Sequence, residues 1–175
     1  MCSLALLAST LAACAARPSE DLSRPARAIY LSSGSAERLE TQFQALATQR
    51  APAVLIISEE DFNSYLQARL TADDILQALR VWFTRDGLYV AAEFDLLGRQ
   101  QFDAALQATA DQGEPTVSVQ QATLNGRPLS SLALKALNEA VQVALADAQL
   151  PLTVERVTFG EGRLLLWASS KSSVP

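Results

Sequence analysis

The chain has 175 residues, a net charge of −5 and a hydrophobic fraction of 49%, carried by Ala and Leu more than by aromatic residues. It contains no histidine, which removes Ser-His and Cys-His catalysis, histidine-ligated metals and histidine pH switching together. The acidic balance, with basic residues scattered singly, excludes nucleic acid as a natural partner, and both cysteines, Cys2 and Cys14, precede the body, which therefore has no disulfide or thiolate metal site.

Residues 1–16 read MCSLALLASTLAACAA. An apolar stretch from Leu4 to Ala13 ends in small residues, as the core of a signal peptide does, and it is short for a membrane span. Leu11-Ala12-Ala13-Cys14 resembles a bacterial lipobox, which implies cleavage before Cys14 and acylation of that cysteine. Two or more acyl chains, at roughly 0.8 kcal/mol per buried CH₂, hold a protein stably on a membrane. Met1-Cys2-Ser3 lacks the Lys or Arg that usually opens such a peptide, so an upstream start codon or a degenerate signal is expected. The resemblance implies a secreted protein, anchored on the extracytoplasmic side of the cell envelope.

From Ala15 to about Ser35, two prolines, scattered charges and a Ser-Ser-Gly-Ser close read as a flexible tether. Twenty such residues reach about 25 Å root-mean-square. The expected organisation is a signal peptide at 1–13, a lipidated cysteine and tether at 14–35, one α+β domain at 36–170 and a loose tail at 171–175. No run beyond residue 16 approaches the roughly 18 apolar residues of a membrane-spanning helix.

In the body, Leu39, Phe43, Leu46 and Ala47 stand at helical spacing within 36–50. Ala53 to Ile57 reads as a strand or as the start of the next helix. Ser58 is placed to cap that helix, with Glu59, Glu60 and Asp61 in its first turn and Phe62, Tyr65, Leu66 and Leu70 on one face. First-turn acids are the more economical reading of this carboxylate cluster than a calcium site.

From residue 75 the period becomes two. Leu79, Val81 and Phe83 alternate, Asp86-Gly87 turns, and Leu88, Val90, Ala92, Phe94 and Leu96 alternate on the return. Phe102, Ala104, Leu106 and Ala108 form the next strand, and Val117 and Val119 lead to Leu124 and an Asn125-Gly126 turn. The pattern predicts a four-stranded antiparallel meander with one apolar face. Ser130 then caps a helix running to about Ala148, with Leu134, Leu137, Val141, Ala144 and Leu145 on one side, and Pro151 ends it. Leu152–Phe159 and Arg163–Ala168 make a last hairpin around Gly160-Glu161-Gly162. Strands segregate from helices, so the class is α+β, with the long amphipathic helix laid on the sheet's apolar face.

Several short segments carry a resemblance over about residues 53–168. They are Ile57-Ser58-Glu59-Glu60-Asp61-Phe62-Asn63-Ser64-Tyr65-Leu66, then Thr84 to Val90, then Asn125-Gly126-Arg127-Pro128-Leu129 ahead of Leu137-Asn138, and last Val157 to Leu164. In this order they resemble the YceB-like lipoproteins and LmeA-like domains, whose fold is similar to one half of the tubular lipid-binding (TULIP) proteins. The resemblance implies a curved sheet wrapped around the long helix, an apolar groove for a lipid or other amphiphile, and no catalytic residue. Asn63 and Asn138 match favoured positions, and both are expected to bond backbone rather than ligand.

Small side chains at Ala92, Ala104 and Ala108 on the apolar face leave room for an acyl chain; alanine is abundant throughout, so these residues alone favour a closed core, and the resemblance tips the reading back toward a groove. Phe94, Leu96, Phe102, Val117 and Val119 on the sheet, with Leu137 and Val141 on the helix, are the expected lining. No cofactor and no metal is expected. The alternative is an assembly lipoprotein with a closed core that docks on another envelope protein, with Trp82 and Trp167 as anchors if both lie exposed on one face. Catalysis is the weakest reading. No Gly-x-Ser-x-Gly occurs, and Ser131 and Lys135 lack the Ser-x-x-Lys spacing.

Overall fold

Ser58 ends one element and starts the next. In the computed structural model, which describes residues 22–49, 51–70, 76–95, 98–147 and 152–171, it closes strand β1 (Ala53–Ser58) and caps helix α2 (Glu59–Gln67). Its Oγ accepts from the Asp61 N–H at 3.0 Å and donates to Asp61 Oδ2 at 2.7 Å, a cap worth about 1 kcal/mol. Burial works to raise the Asp61 pKa, but the bonds from Ser58 and Arg38 outweigh it and hold the carboxyl below its ordinary value. The three first-turn acids diverge rather than converge: Glu60 accepts from Ser35, Asp61 faces Arg38, and Glu59 turns inward to Arg27.

Ahead of this junction lies α1 (Ser33–Thr48), and after it come β2 (Leu76–Thr84), β3 (Gly87–Asp95), β4 (Arg99–Asp111), β5 (Glu114–Leu124) and the two-residue β6 (Arg127–Pro128). Helix α3 (Ser131–Asp147) and the hairpin β7 (Leu152–Gly160) and β8 (Arg163–Ser170) complete the described chain. The class is α+β, built on two antiparallel sheets in the orders β2-β3-β4-β5-β6 and β1-β8-β7. The expected meander is the first of these. The second joins the 53–58 run to the C-terminal hairpin, with Ala53 opposite Ala168 and Ser58 opposite Arg163. A pairing across more than a hundred residues leaves no turn signal, so the sequence reading left both partners unattached.

Turn chemistry sets the meander's register. Gly87 follows the Arg85-Asp86 turn at φ 145°, and a Cβ there would stand 2.2 Å from the Leu106 carbonyl oxygen, so β3 and β4 approach closely only because it is glycine. Asn125 and Gly126 both have positive φ, 51° and 72°, as a type I′ hairpin turn requires. Along β5 the apolar residues change parity, from Val117 and Val119 to Ala122 and Leu124. The register shift opposite Ala105/Leu106, with Gln120 unpaired, absorbs the change and keeps all four on one face.

The main core lies where α1, α2 and the β1-β8-β7 sheet meet the β2–β3 end of the meander. Leu39, Ile57, Phe83, Val154 and Ala168 are its most buried members. The sheets are stitched there by the Gly162 N–H on the Phe83 carbonyl at 3.0 Å and the Val154 N–H on the Gly113 carbonyl at 2.8 Å. This corrects the expectation that the long helix covers the apolar face. Helix α3 reaches only the β4–β5 end and has no buried residue, because α1, α2 and the second sheet occupy the rest.

The segment read as tether also differs. From Leu22 onward it lies against the opposite face of the meander, with Leu22 and Ile29 packed on Trp82, Tyr89 and Ala91. Arg24 pairs with Asp103 at 3.0 Å, and Trp82 Nε1 donates to the Arg27 carbonyl at 3.0 Å. The Arg27 guanidinium joins Glu59, Glu161 and the Phe83 carbonyl. Its partners lie 32 to 134 positions away, so local composition gave no sign of them.

Candidate functional site

The site expected from sequence lies between α3 and the meander. Ser130 starts the helix, its Oγ accepting from the Ala133 N–H at 3.3 Å, and the 3.6-residue repeat turns Leu134, Leu137 and Val141 toward the sheet. The floor beneath them is made of Ala104, Val119 and Ala122, all buried, with Phe102, Leu106 and Leu129 around it. Of the expected lining, Phe102, Val119, Leu137 and Val141 meet in this one cluster. Phe94 joins through its ring, edge-on to Phe102 with centroids 6.2 Å apart. Val117 stands outside the cluster, and its carbonyl accepts from Gln142 Nε2. Leu96 and Cys14 lie outside the described residues.

Asn138 fixes the helix on this floor. Its Oδ1 accepts from the Val119 N–H at 2.7 Å, and its Nδ2 donates to the Val119 and Leu134 carbonyls, each at 3.1 Å. Asn63 does the same in α2, accepting from the Val81 N–H at 2.8 Å and donating to the Val81 and Glu59 carbonyls at 2.7 Å. Both asparagines bond backbone, as expected. In each case a helix amide satisfies the outward N–H and C=O of a strand residue, on β2 at one edge of the sheet and on β5 near the other.

The members of the cluster are aliphatic and aromatic, so it can exclude water and hold apolar groups. Charge is placed on the other face of the sheet, where Tyr89 OH donates to Asp103 at 2.8 Å beside Arg24. Burial, reinforced by the bond to Asp103, pushes the Tyr89 pKa up to about 12. The two tryptophans do not form the anticipated pair. Trp82 is 6% exposed beneath the N-terminal segment, and Trp167 lies half-buried in the other sheet under the Arg156 guanidinium.

Sequence reasoning placed Leu106 and Leu134 on apolar faces without counting them in the lining, and it missed Ala122 and Leu129. The parity change along β5 was the available signal for Ala122. No protein-family model matches the chain, and no curated protein is found similar to it.

Proposed function

We propose that this chain is a lipoprotein of the cell envelope, cleaved before Cys14 and held to a membrane by lipid there, whose body binds or carries a lipid or other amphiphile. The ligand's apolar part lies between α3 and the β4–β5 end of the meander, which curves around it in the manner of half a TULIP domain. One observation carries this reading. Helix α3 presents Leu134, Leu137 and Val141 to a floor of small, buried residues, yet none of its own side chains is buried. An apolar seam covered on one side only is suited to an acyl chain, which removes its remaining surface from water at about 25 cal/mol per Å².

Native mass spectrometry of gently purified protein should show an added mass of acyl-chain size, and a fluorescent fatty acid should be taken up. Val141→Glu puts a carboxylate in the seam at a half-buried position and should abolish uptake with little change in thermal midpoint. Protein that is always ligand-free and takes up no fatty acid would sink the proposal.

A second reading has its own support. Leu132 and Val143 on α3 are 77% and 60% exposed, a surface that suits docking on another envelope protein. Crosslinking in intact envelopes separates the two, since only docking predicts a defined protein adduct at Leu132.

A further inference from the structure

The outer face of the β1-β8-β7 sheet departs from the usual polar-out pattern of a sheet with one face on the core. Directly opposed residues of antiparallel strands share a face. Val54 stands opposite Trp167 and Ile56 opposite Leu165, while Leu55, Ile57, Leu164 and Leu166 point the other way into the core. Val54 and Ile56 are 50% and 57% exposed. Across the sheet Arg156 pairs with Trp167, its guanidinium carbon 3.9 Å from the centre of the indole ring, and Arg163 lies at the end of the same face.

The arginines of this face are among those without a carboxylate partner, as are Arg80, Arg85 and Arg127 elsewhere among the described residues. Arg24, Arg27, Arg38, Arg69 and Arg99 each meet a carboxylate. Among the described residues Arg156 and Arg163 form no ion pair, although acids outnumber bases in the chain. Glu155 is the extra residue at the bulge between Val154 and Arg156, outside the register, and Glu161 in the adjoining turn is taken by Arg27. The face therefore combines branched aliphatics, a tryptophan and two uncompensated guanidiniums. That is the chemistry of a surface seated in the headgroup layer, where an indole lies at the boundary and arginine meets phosphate.

We propose that the outer face of the β1-β8-β7 sheet docks on an anionic phospholipid surface, with Trp167, Val54, Ile56 and Leu165 entering the interface and Arg156 and Arg163 pairing with lipid phosphates. Chain length agrees, on the reading that Cys14 is lipidated. The segment is held to the body from Leu22, and eight peptide links back to Cys14 span at most about 28 Å. A body held that close must turn some face to the headgroups. The exposed apolar residues of α3 are less suited, because that helix also carries Glu139 and Asp147.

The test uses the full chain with Cys14→Ser, so that no lipid anchor contributes. It should sediment with phosphatidylcholine vesicles containing phosphatidylglycerol, and not with phosphatidylcholine alone. Tryptophan emission should shift to the blue on binding, and Trp167→Phe should remove the shift. Arg156→Gln with Arg163→Gln should weaken binding roughly thirtyfold, and Ile56→Glu should abolish it, with thermal midpoints little changed because all three side chains are exposed. Absence of binding to the anionic vesicles, or equal binding by the variants, overturns the proposal. So does self-association that Ile56→Glu abolishes, which would give the face to a second copy. Fatty-acid uptake by the same variants reports separately on the α3 seam, so either proposal can fail while the other stands.

Discussion

The two ends of the meander are fastened by the same device and finished differently. Asn63 and Asn138 each tie a helix to the outward backbone of one strand residue and to the carbonyl four positions back in their own helix. Around Asn63, which is 1% exposed, α1, α2 and the second sheet close a buried core. Around Asn138 the described residues leave every side chain of α3 unburied, and the helix keeps its apolar stripe half-buried. Identical hydrogen bonding thus says how a helix is positioned but not how deeply it is covered. Coverage depends on what the remaining chain brings over it.

The contrast should appear first in core truncations. Phe83→Ala, at a fully buried ring packed against Phe62 and Phe159, should lower the unfolding free energy by about 3–5 kcal/mol. Leu137→Ala should lower it by only about 1–2 kcal/mol, since the side chain is only partly buried and solvent can fill the space it leaves. Urea unfolding of the two variants measures both, and equal losses would mean that the α3 end is as closed as the other.

Next come the asparagines. Asn63→Ala leaves a buried N–H and C=O of Val81 without partners and should destabilise by about 3 kcal/mol. Asn138→Ala exposes the equivalent groups of Val119 to water near a half-buried helix and should cost about 1 kcal/mol. Hydrogen exchange at the Val81 and Val119 amides would locate each loss, and a larger effect at Asn138 would reverse the comparison.

The smallest effect belongs to the opposite face of the sheet. Tyr89 should ionise near pH 12, read by phenolate absorbance, and Asp103→Asn should bring it back toward its ordinary value of 10.0. The sign follows from the raised folded pKa: the unfolded chain releases this proton first, so the contribution is intact below pH 10 and lost as pH rises through 12. It should be slight, because the phenol is one of several contacts holding residues 22–29.

Much of the meander was legible because its signals are local. Alternation at Leu88, Val90 and Ala92, the Asn125-Gly126 turn and the Ser58 and Ser130 caps each involve residues within a few positions. The α3 stripe was legible for the same reason, and it brought four expected lining residues into one cluster. The Ala53–Ser58 strand was ambiguous, because a short apolar run has no period to read and its partner lies beyond residue 160. The N-terminal segment misled most. Its prolines, serines and charges have the composition of a linker, and only Glu59, Glu161 and Asp103, all distant in sequence, turn Arg27 and Arg24 into clamps.

By itself the sequence determined the order and type of most elements, the turns between them and the face each helix offers, because φ/ψ preferences, capping and side-chain period act over a few residues. Only the tertiary structure decided which apolar faces end in the core and which stay half open. Burial is a property of what arrives from elsewhere in the chain: the C-terminal hairpin that pairs with β1 and the N-terminal segment laid over Trp82, whereas among the described residues no side chain of α3 is buried.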